Sequence, residues 1–260
     1  MDDCQKPMMG YTTMCKWMIA ALLATTSCSV LAGQLLVSAA SSLTNSFREA
    51  ASVYQAQHPG VAVALNFAAS GVLLQQLDKG APVDVLASAD QQTMDLAQQR
   101  GLVGARSDFA RNSLVVIVPL PQANPGQLTL RRLADLGQGG ITRVAIGNPT
   151  IVPAGRYAHH ALQAAKLDLQ AKTIQTQNVR QALDYVARGE VDAGFVYRTD
   201  AALMPDKVKV AFEVPQAGAI RYPIAASKHG PNAAEAARFI DFIVSPAGQA
   251  IFAKHGFLKP

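Results

Sequence analysis

Short apolar runs alternate with amphipathic segments along the chain from residue 34 onward. Runs of strand length are followed by stretches whose apolar residues recur at helical spacing, as Leu43, Phe47, Ala51 and Tyr54 do. The predicted strands and the helices that follow them are Gln34–Ala40 with Ser42–Gln57, Val61–Phe67 with Gly71–Lys79, and Val83–Ala87 with Gln91–Arg100. Three strand–helix units in succession predict a parallel sheet with right-handed crossovers.

A longer apolar strand, Asn112–Leu120, is followed by a loop rich in Pro, Gly and Asn, after which the alternation restarts. The later predicted strands are Arg143–Ile146, Thr173–Thr176 and Ala193–Tyr197, and the helices are Arg131–Leu136, Gly155–Lys166 and Val179–Arg188. Extended segments at Lys207–Val214 and Ile220–Ala226 precede the helices Asn232–Ile243 and Ala247–Lys254. The pattern therefore predicts an α/β fold in two halves.

The long strand and the late extended segments suggest that the chain crosses twice between these halves. We expect lobe 1 to comprise residues 33–113 and 221–260 and lobe 2 to comprise residues 114–220, each a mainly parallel sheet flanked by helices. Two crossings between the lobes would act as a hinge around a cleft.

The N-terminus is typical of a secretory signal peptide. Lys16 precedes the apolar run Trp17–Leu23, which is too short for a mature transmembrane helix of about 20 residues. Val30, Leu31 and Ala32 fit a small-x-small cleavage site, so we expect residues 1–32 to be removed and the mature protein to begin at Gly33 in the periplasm.

All three cysteines, Cys4, Cys15 and Cys28, lie in this leader. The mature chain would then have no disulfide, no thiol nucleophile and no thiolate metal site. Cys28 as a lipid acceptor is the alternative, but the preceding Thr25–Ser27 lacks the usual leucine. The net charge of +5 is unchanged by loss of the leader, which takes two lysines and two aspartates. A mild positive charge attracts anions, while the absence of a basic run argues against nucleic acid.

Candidate chemistry lies where helices begin, because ligands of open α/β sheets bind at the carboxyl ends of strands. Four such junctions stand out, namely Ser41-Ser42, Ser70-Gly71, Pro153-Ala154-Gly155 and Asn178-Val179. Each offers free backbone N–H groups at the positive end of a helix dipole, which suits an anion. Pro153 lacks an N–H, so Ala154 presents one of the first donors. Ser42 and Ser70 could donate through hydroxyl and backbone, although a serine at a helix start is more often an N-cap.

Seven segments, in order, resemble those of periplasmic molybdate-binding proteins and span essentially the whole mature chain. They are VSAASSLTN (37–45), NFAASG (66–71), GAPVDVLASAD (80–90), NSLVV (112–116), VPAG (152–155), NVR (178–180) and GFVY (194–197). The resemblance implies a type II periplasmic-binding-protein fold, whose two lobes close on a tetrahedral dianion held only by hydrogen bonds.

The resemblance also implies the ligands: Ser42 and Ser70 through hydroxyl and backbone, Ala154 and Val179 through backbone N–H, and Tyr197 through its hydroxyl. Molybdenum or tungsten would be bound only as the oxyanion, with no direct protein–metal ligand and no further cofactor. The expected partner is the membrane permease of an ABC transporter, and we expect a monomer. Some relatives carry a serine at the position of Gly71, so a hydroxyl is absent here.

Other functions remain to be weighed. A sulfate, phosphate or ferric-complex binding protein would use the same helix-start chemistry. A transcription regulator of this fold would need an N-terminal helix-turn-helix where this chain has a leader. No nucleophile–base motif suggests an enzyme, and adjacent His159 and His160 point in different directions on a helix, which argues against a shared metal. For Arg156 and Arg180, in the first turns of two helices, we expect solvated side chains rather than a role in steering the anion.

Overall fold

The computed structural model describes residue 1, residues 34–120 and residues 130–260. The predicted signal peptide, its cleavage site, the three cysteines and most of the loop after Leu120 lie outside the described residues. None of the helices in the described part of the chain has the length and hydropathy needed to cross a bilayer.

The first sheet has the strand order β2-β1-β3-β10-β4. Its strands are β1 (Gln34–Ala40), β2 (Ala62–Ala68), β3 (Val85–Ala87), β4 (Val103–Asn112) and β10 (Ile220–Ser227). The strands β1, β2 and β3 run parallel, as the strand–helix units predict, whereas β10 runs antiparallel to both β3 and β4. We call this sheet and its helices the first lobe.

The second sheet has the strand order β7-β6-β8-β5-β9 and forms the second lobe with its helices. Its strands are β5 (Leu114–Pro119), β6 (Val144–Gly147), β7 (Thr173–Thr176), β8 (Ala193–Tyr197) and β9 (Val208–Glu213). The strand β6 is parallel to β7 and β8, and β5 is antiparallel to β8 and β9.

Each sheet is mixed but mainly parallel, as predicted, because four of its five strands run in one direction. The strand that runs the opposite way is β10 in the first sheet and β5 in the second. The chain passes from one sheet to the other between β4 and β5 and returns between β9 and β10. The strands β5 and β10 follow β4 and β9 without an intervening α-helix, so the right-handed crossover rule does not fix their direction. The two-lobed α/β class is confirmed. The exact lobe boundaries stay a prediction, and β10 begins at Ile220, one residue before the expected return into lobe 1.

The helices lie close to their predicted positions, except that no helix was predicted at Arg198–Ala201. They are α1 (Thr44–Gln57), α2 (Ser70–Asp78), α3 (Gln91–Gln99), α4 (Pro153–Ala164), α5 (Val179–Ala187), α6 (Arg198–Ala201), α7 (Ala233–Val244) and α8 (Pro246–Lys254). A 3-10 turn, Ser41–Leu43, opens α1, and the helix expected at Arg131–Leu136 is a 3-10 segment at Leu133–Gly137.

Two packing features position the helix starts. In the first lobe, Phe47 of α1 packs against Phe109 and Phe252 with ring centroids 5.8 and 5.7 Å away, which anchors α1 beneath the sheet. In the second lobe, a Cβ at Gly155 would lie 1.9 Å from the carbonyl oxygen of Gly147. Glycine at 155 therefore lets the first turn of α4 approach the end of β6.

Candidate functional site

All five residues singled out in the sequence line one small cavity between the two sheets. Ser42 follows β1, Ser70 follows β2, Ala154 follows β6, Val179 follows β7, and Tyr197 ends β8. The remaining lining residues are Ala40, Ser41, Ala69, Ala89, Val152 and Pro153. The volume inside this cavity that the centre of a water molecule can occupy is about 10 Å³. The topology thus brings the strand ends of both lobes to one point.

Four helix starts converge on this cavity. Ser70 and Val179 are the first residues of α2 and α5, and Ala154 is the second residue of α4, after Pro153. Ser42 lies within the 3-10 turn that leads into α1. First-turn N–H groups have no intrahelical acceptor, and the helix dipole adds positive potential there. The cavity therefore presents backbone donors from both lobes.

The two serines are not N-caps. The capping position of the 3-10 turn is Ala40 and that of α2 is Ala69, and neither cap makes a side-chain hydrogen bond. The hydroxyl oxygen of Ser70 accepts a hydrogen bond of 3.1 Å from the backbone N–H of Ala89. The Ser70 hydroxyl hydrogen is thereby left to donate elsewhere. The simpler interpretation of these serines, as capping residues, is wrong.

Tyr197 brings a phenolic hydroxyl to the lining of the cavity. Its side chain is 1% exposed, and its oxygen has no hydrogen-bond partner within the described part of the chain. Burial raises the pKa of this phenol well above its usual 10, and the neighbouring phenol of Tyr222 adds to the shift. Tyr197 therefore stays protonated at neutral pH and holds a buried donor that has no acceptor among residues 34–120 and 130–260.

Arg156, in the first turn of α4, forms an ion pair across the lobes. Its Nη2 lies 2.7 Å from a carboxylate oxygen of Asp90 and donates to the hydroxyl of Thr93 at 2.8 Å. The Arg156 and Asp90 side chains are only 13% and 5% exposed. Asp90 is at the same time the N-cap of α3 and accepts from the backbone of Thr93. The expectation of a solvated Arg156 is wrong.

Arg180, in the first turn of α5, makes a second set of contacts. Its Nε lies 2.6 Å from the carboxylate of Asp200, and its other nitrogens donate to the carbonyl of Ser42 and to the side chain of Asn45. Burial raises the pKa of Asp200 to about 6, although Arg180 opposes the shift. Asp200 is thus ionised at neutral pH and neutralises Arg180, which is not solvated either.

The lobes also meet through backbone at Gly71. Its N–H donates to the carbonyl of Ile151 at 2.9 Å. A Cβ at position 71 would lie 2.7 Å from the Cα of Ile151, so only glycine permits this approach. The side chain that some relatives carry at this position is incompatible with the contact seen here.

The lining of the cavity offers donors and no carboxylate. Its side-chain polar groups are the hydroxyls of Ser41, Ser42, Ser70 and Tyr197. Within residues 34–120 and 130–260, no three His, Cys, Asp or Glu side chains cluster as a metal site would require. Donors without a formal charge at the convergence of helix starts are suited to a small anion that accepts hydrogen bonds on every side.

Two residues behind the cavity escaped the sequence interpretation. Tyr222 of β10 lies with its hydroxyl oxygen 3.2 Å from that of Ser42, and Asn112 at the end of β4 donates to the same phenol at 3.3 Å. Their positions in sequence gave no indication of this contact, because both belong to the strands that return between the lobes.

The family described as bacterial extracellular solute-binding protein matches residues 35–258, nearly the whole described chain. The chain belongs to this family. Among curated relatives of this solute-binding protein, the molybdate-binding protein ModA of Escherichia coli strain K12 is 36% identical over 233 residues. The match covers 86% of this chain and 89% of the relative.

Two solved structures share the fold of this solute-binding protein over most of its length. The substrate-binding domain of a putative molybdenum ABC transporter from Clostridium difficile is 31% identical with a TM-score of 0.64. The periplasmic molybdate-binding protein of Azotobacter vinelandii is 26% identical with a TM-score of 0.74. Each alignment covers 87% of this chain and 99% of the other. The type II binding-protein fold is confirmed.

Proposed function

We propose that this protein captures molybdate or tungstate from outside the cytoplasm and passes it to the membrane permease of an ABC transporter. The observation that carries the proposal is the convergence of helix starts and hydroxyls from both lobes on one cavity, with the buried hydroxyl of Tyr197 unpartnered among the described residues. The names of the relatives from E. coli and A. vinelandii support this choice of anion.

The proposed ligands are the hydroxyls and backbone of Ser42 and Ser70, the backbone N–H groups of Ala154 and Val179, and the hydroxyl of Tyr197. A tetrahedral dianion has four oxygens that only accept, so it matches a shell that only donates. Each hydrogen bond to a charged group contributes about 1.5–3 kcal/mol. The charges of the neighbouring Arg156 and Arg180 are already balanced by Asp90 and Asp200. In this proposal the anion is therefore held by the helix starts and hydroxyls rather than by a formal positive charge.

Binding would proceed by closure of the two lobes, since each supplies part of the anion's shell. In this proposal lobe 1 comprises residues 33–113 and 221–260, and lobe 2 comprises residues 114–220. The same proposal includes export through a cleaved leader and action as a monomer. It also holds that the protein catalyses no reaction and needs no further cofactor. The permease would recognise a surface that both lobes form together.

The test is isothermal titration of the mature protein, residues 33–260, with molybdate and tungstate, and with sulfate and phosphate as competitors. We expect one anion per chain, bound tightly and not displaced by excess sulfate. Heat with sulfate or phosphate but not with molybdate would leave the fold intact and refute the proposed substrate. If none of the four anions gives a measurable heat of binding, the proposed site is refuted.

A further inference from the structure

The hydrogen bonds that join Asn112, Tyr222 and Ser42 behind the cavity each have a defined donor and acceptor, beginning with the amide of Asn112. The side-chain oxygen of Asn112 accepts from the backbone N–H of Ser113 at 2.9 Å, and a backbone N–H can only donate. This contact fixes the orientation of the amide, so the Asn112 nitrogen faces the hydroxyl of Thr199 at 2.9 Å and that of Tyr222 at 3.3 Å. Tyr222 therefore accepts from Asn112.

Tyr222 passes the direction on to Ser42. The phenol is fully buried, and burial raises its pKa well above 10, so it keeps its proton. Its hydroxyl partners within the described residues are Asn112 and Ser42. Because Asn112 donates to the phenol, the phenolic hydrogen has only the hydroxyl oxygen of Ser42 to bond, at 3.2 Å. The opposite orientation would bury an O–H group without an acceptor.

Ser42 then has its own hydrogen left for the cavity that it lines. Ser70 is in the same situation, because its oxygen accepts from the N–H of Ala89. Both serine oxygens are occupied from the protein side by a donor. Two hydroxyls of the cavity lining, those of Ser42 and Ser70, are consequently oriented to donate.

We propose that Tyr222 and Asn112 are positioning residues that hold Ser42 as a donor and thereby exclude oxyanions that still carry a proton. The inference rests on the proposed function, because it assumes that Ser42 faces the anion. Phosphate near neutral pH carries at least one proton, and its O–H would meet two serine hydroxyls, those of Ser42 and Ser70, that are already oriented to donate. Sulfate is almost the same size as phosphate but carries no proton. Comparing the two anions therefore distinguishes the effect of the proton from the effect of anion size.

The experiment compares the wild type with Tyr222→Phe, which keeps the ring and removes the hydroxyl. Phosphate and sulfate are each titrated as competitors against bound molybdate near neutral pH. In the variant Ser42 is free to turn and accept from an O–H. We expect phosphate to compete about tenfold better than in the wild type, equivalent to about 1.4 kcal/mol, while competition by sulfate stays the same.

Three further measurements test this explanation. Tyr54→Phe, at a buried tyrosine bonded to Glu235 in the first lobe, is the matched control and should leave both competitors unchanged. The double variant Tyr222→Phe with Ser42→Ala should lose the gain for phosphate, because the serine that turns is gone. Thermal melting confirms that each variant is folded.

An equal rise for sulfate and phosphate in Tyr222→Phe would mean a loosened cavity and would overturn the proposal. The proposal is also overturned if phosphate competes no better with the variant than with the wild type. A wild-type protein that fails to bind molybdate would instead refute the proposed function, which keeps the two failures distinguishable.

Discussion

The hydroxyl of Tyr197 is the residue-scale feature with the clearest functional meaning. A buried polar group left without a partner destabilises a folded protein by about 1–3 kcal/mol. Tyr197 is 1% exposed and has no partner for its oxygen among the described residues. Phenylalanine would fill the same space without this cost, so the hydroxyl is better explained by a ligand than by the stability of the fold.

Replacing Tyr197 with phenylalanine should weaken anion binding without weakening the fold. Loss of one hydrogen bond to a charged group, about 1.5–3 kcal/mol, corresponds to a dissociation constant about 10–100 times larger. The melting temperature of the free protein should stay the same or rise. Titration calorimetry and thermal melting measure the two effects. Tyr185→Phe, at a tyrosine bonded to Gln181, is the control, and unchanged affinity in Tyr197→Phe would contradict the assignment.

Asp200 should give stability a pH dependence in the acid range. Burial raises its pKa to about 6 from an ordinary value near 4, so the folded state holds this proton more tightly than the unfolded state. Its contribution to the free energy of unfolding is fully present below about pH 4 and is lost as the pH rises through about 6.

Asp200→Asn stays neutral and lacks this dependence. The free energy of unfolding of the wild type minus that of the variant should therefore fall by about 2 kcal/mol between pH 4 and pH 7. Urea unfolding of both proteins across this range checks the prediction. A difference that stays constant with pH would show that Asp200 titrates normally.

Sequence reasoning reached the site residues unevenly, for physical reasons. Helix starts after strands are local features, so Ser42, Ser70, Ala154 and Val179 could be proposed from the chain itself. Tyr197 came only from the resemblance, because a tyrosine at a strand end has no distinctive local pattern. The pairing of Arg156 with Asp90 depends on how two distant segments meet, and no local pattern encodes that.

At the scale of elements, both lobes contribute helix starts to the cavity. Two arginines of the second lobe also contact the first lobe, and we call these contacts the clamps. Arg156 of α4 reaches Asp90 at the start of α3, and Arg180 of α5 reaches the carbonyl of Ser42 ahead of α1. Both clamps therefore begin in helices that supply proposed donors, because Arg156 lies in the first turn of α4 with Ala154 and Arg180 lies in the first turn of α5 with Val179. If the lobes close on an anion as proposed, the clamps would couple its binding to closure.

A double-mutant cycle on Arg156 and Asp90 should reveal this coupling. Arg156→Gln removes the charge, and Asp90→Asn keeps the capping bond to Thr93, since asparagine caps as well as aspartate. Each single change should weaken molybdate binding, and the coupling energy between them should be about 1–3 kcal/mol. Calorimetry on the four proteins measures it. Strictly additive effects would mean that the ion pair does not contribute to the bound state.

Most elements could be predicted to within one or two residues, because apolar periodicity is strong in strands buried on both faces. The exception is β4, whose sequence VGARSDFARN is largely polar. It lies at the edge of the first sheet, where a strand needs fewer apolar residues. The direction of β10 was equally hidden, since antiparallel pairing with β3 is decided by where the chain re-enters the lobe.

At the scale of the whole molecule, the approach of the lobes depends on Gly71. Alanine there would place a Cβ 2.7 Å from the Cα of Ile151, although alanine has a higher helix propensity than glycine and position 71 is the second residue of α2. Gly71→Ala should therefore lower molybdate affinity by about tenfold or more while leaving the melting temperature of the free protein unchanged or higher.

Gly139→Ala is the matched control, because a Cβ at Gly139 meets no atom within 4 Å. Calorimetry and thermal melting on both variants check the prediction for Gly71. Equal affinities of the two variants would show that the approach of Gly71 to Ile151 is not required for binding.

The two-lobe arrangement follows from the alternation of strands and helices, but the distance between the lobes does not. The sequence contains Gly71, Arg156 and Asp90 without indicating that they meet. Such contacts arise only when the crossings between the sheets have set the lobes face to face. Their energies are small and spread over many atoms, so no single residue pattern reports them.

The clamps of Arg156 and Arg180 have a consequence for transport traffic. Neither arginine lines the cavity, so under the proposed closure each would favour the closed form whether or not an anion is bound. A mutation that tightened them would raise affinity by favouring closure in advance, but it would also enrich empty molecules shaped like loaded ones. These empty closed molecules would occupy the docking surface of the proposed transporter without delivering an anion. The strength of the clamps would therefore limit the rate of anion uptake as well as set the affinity.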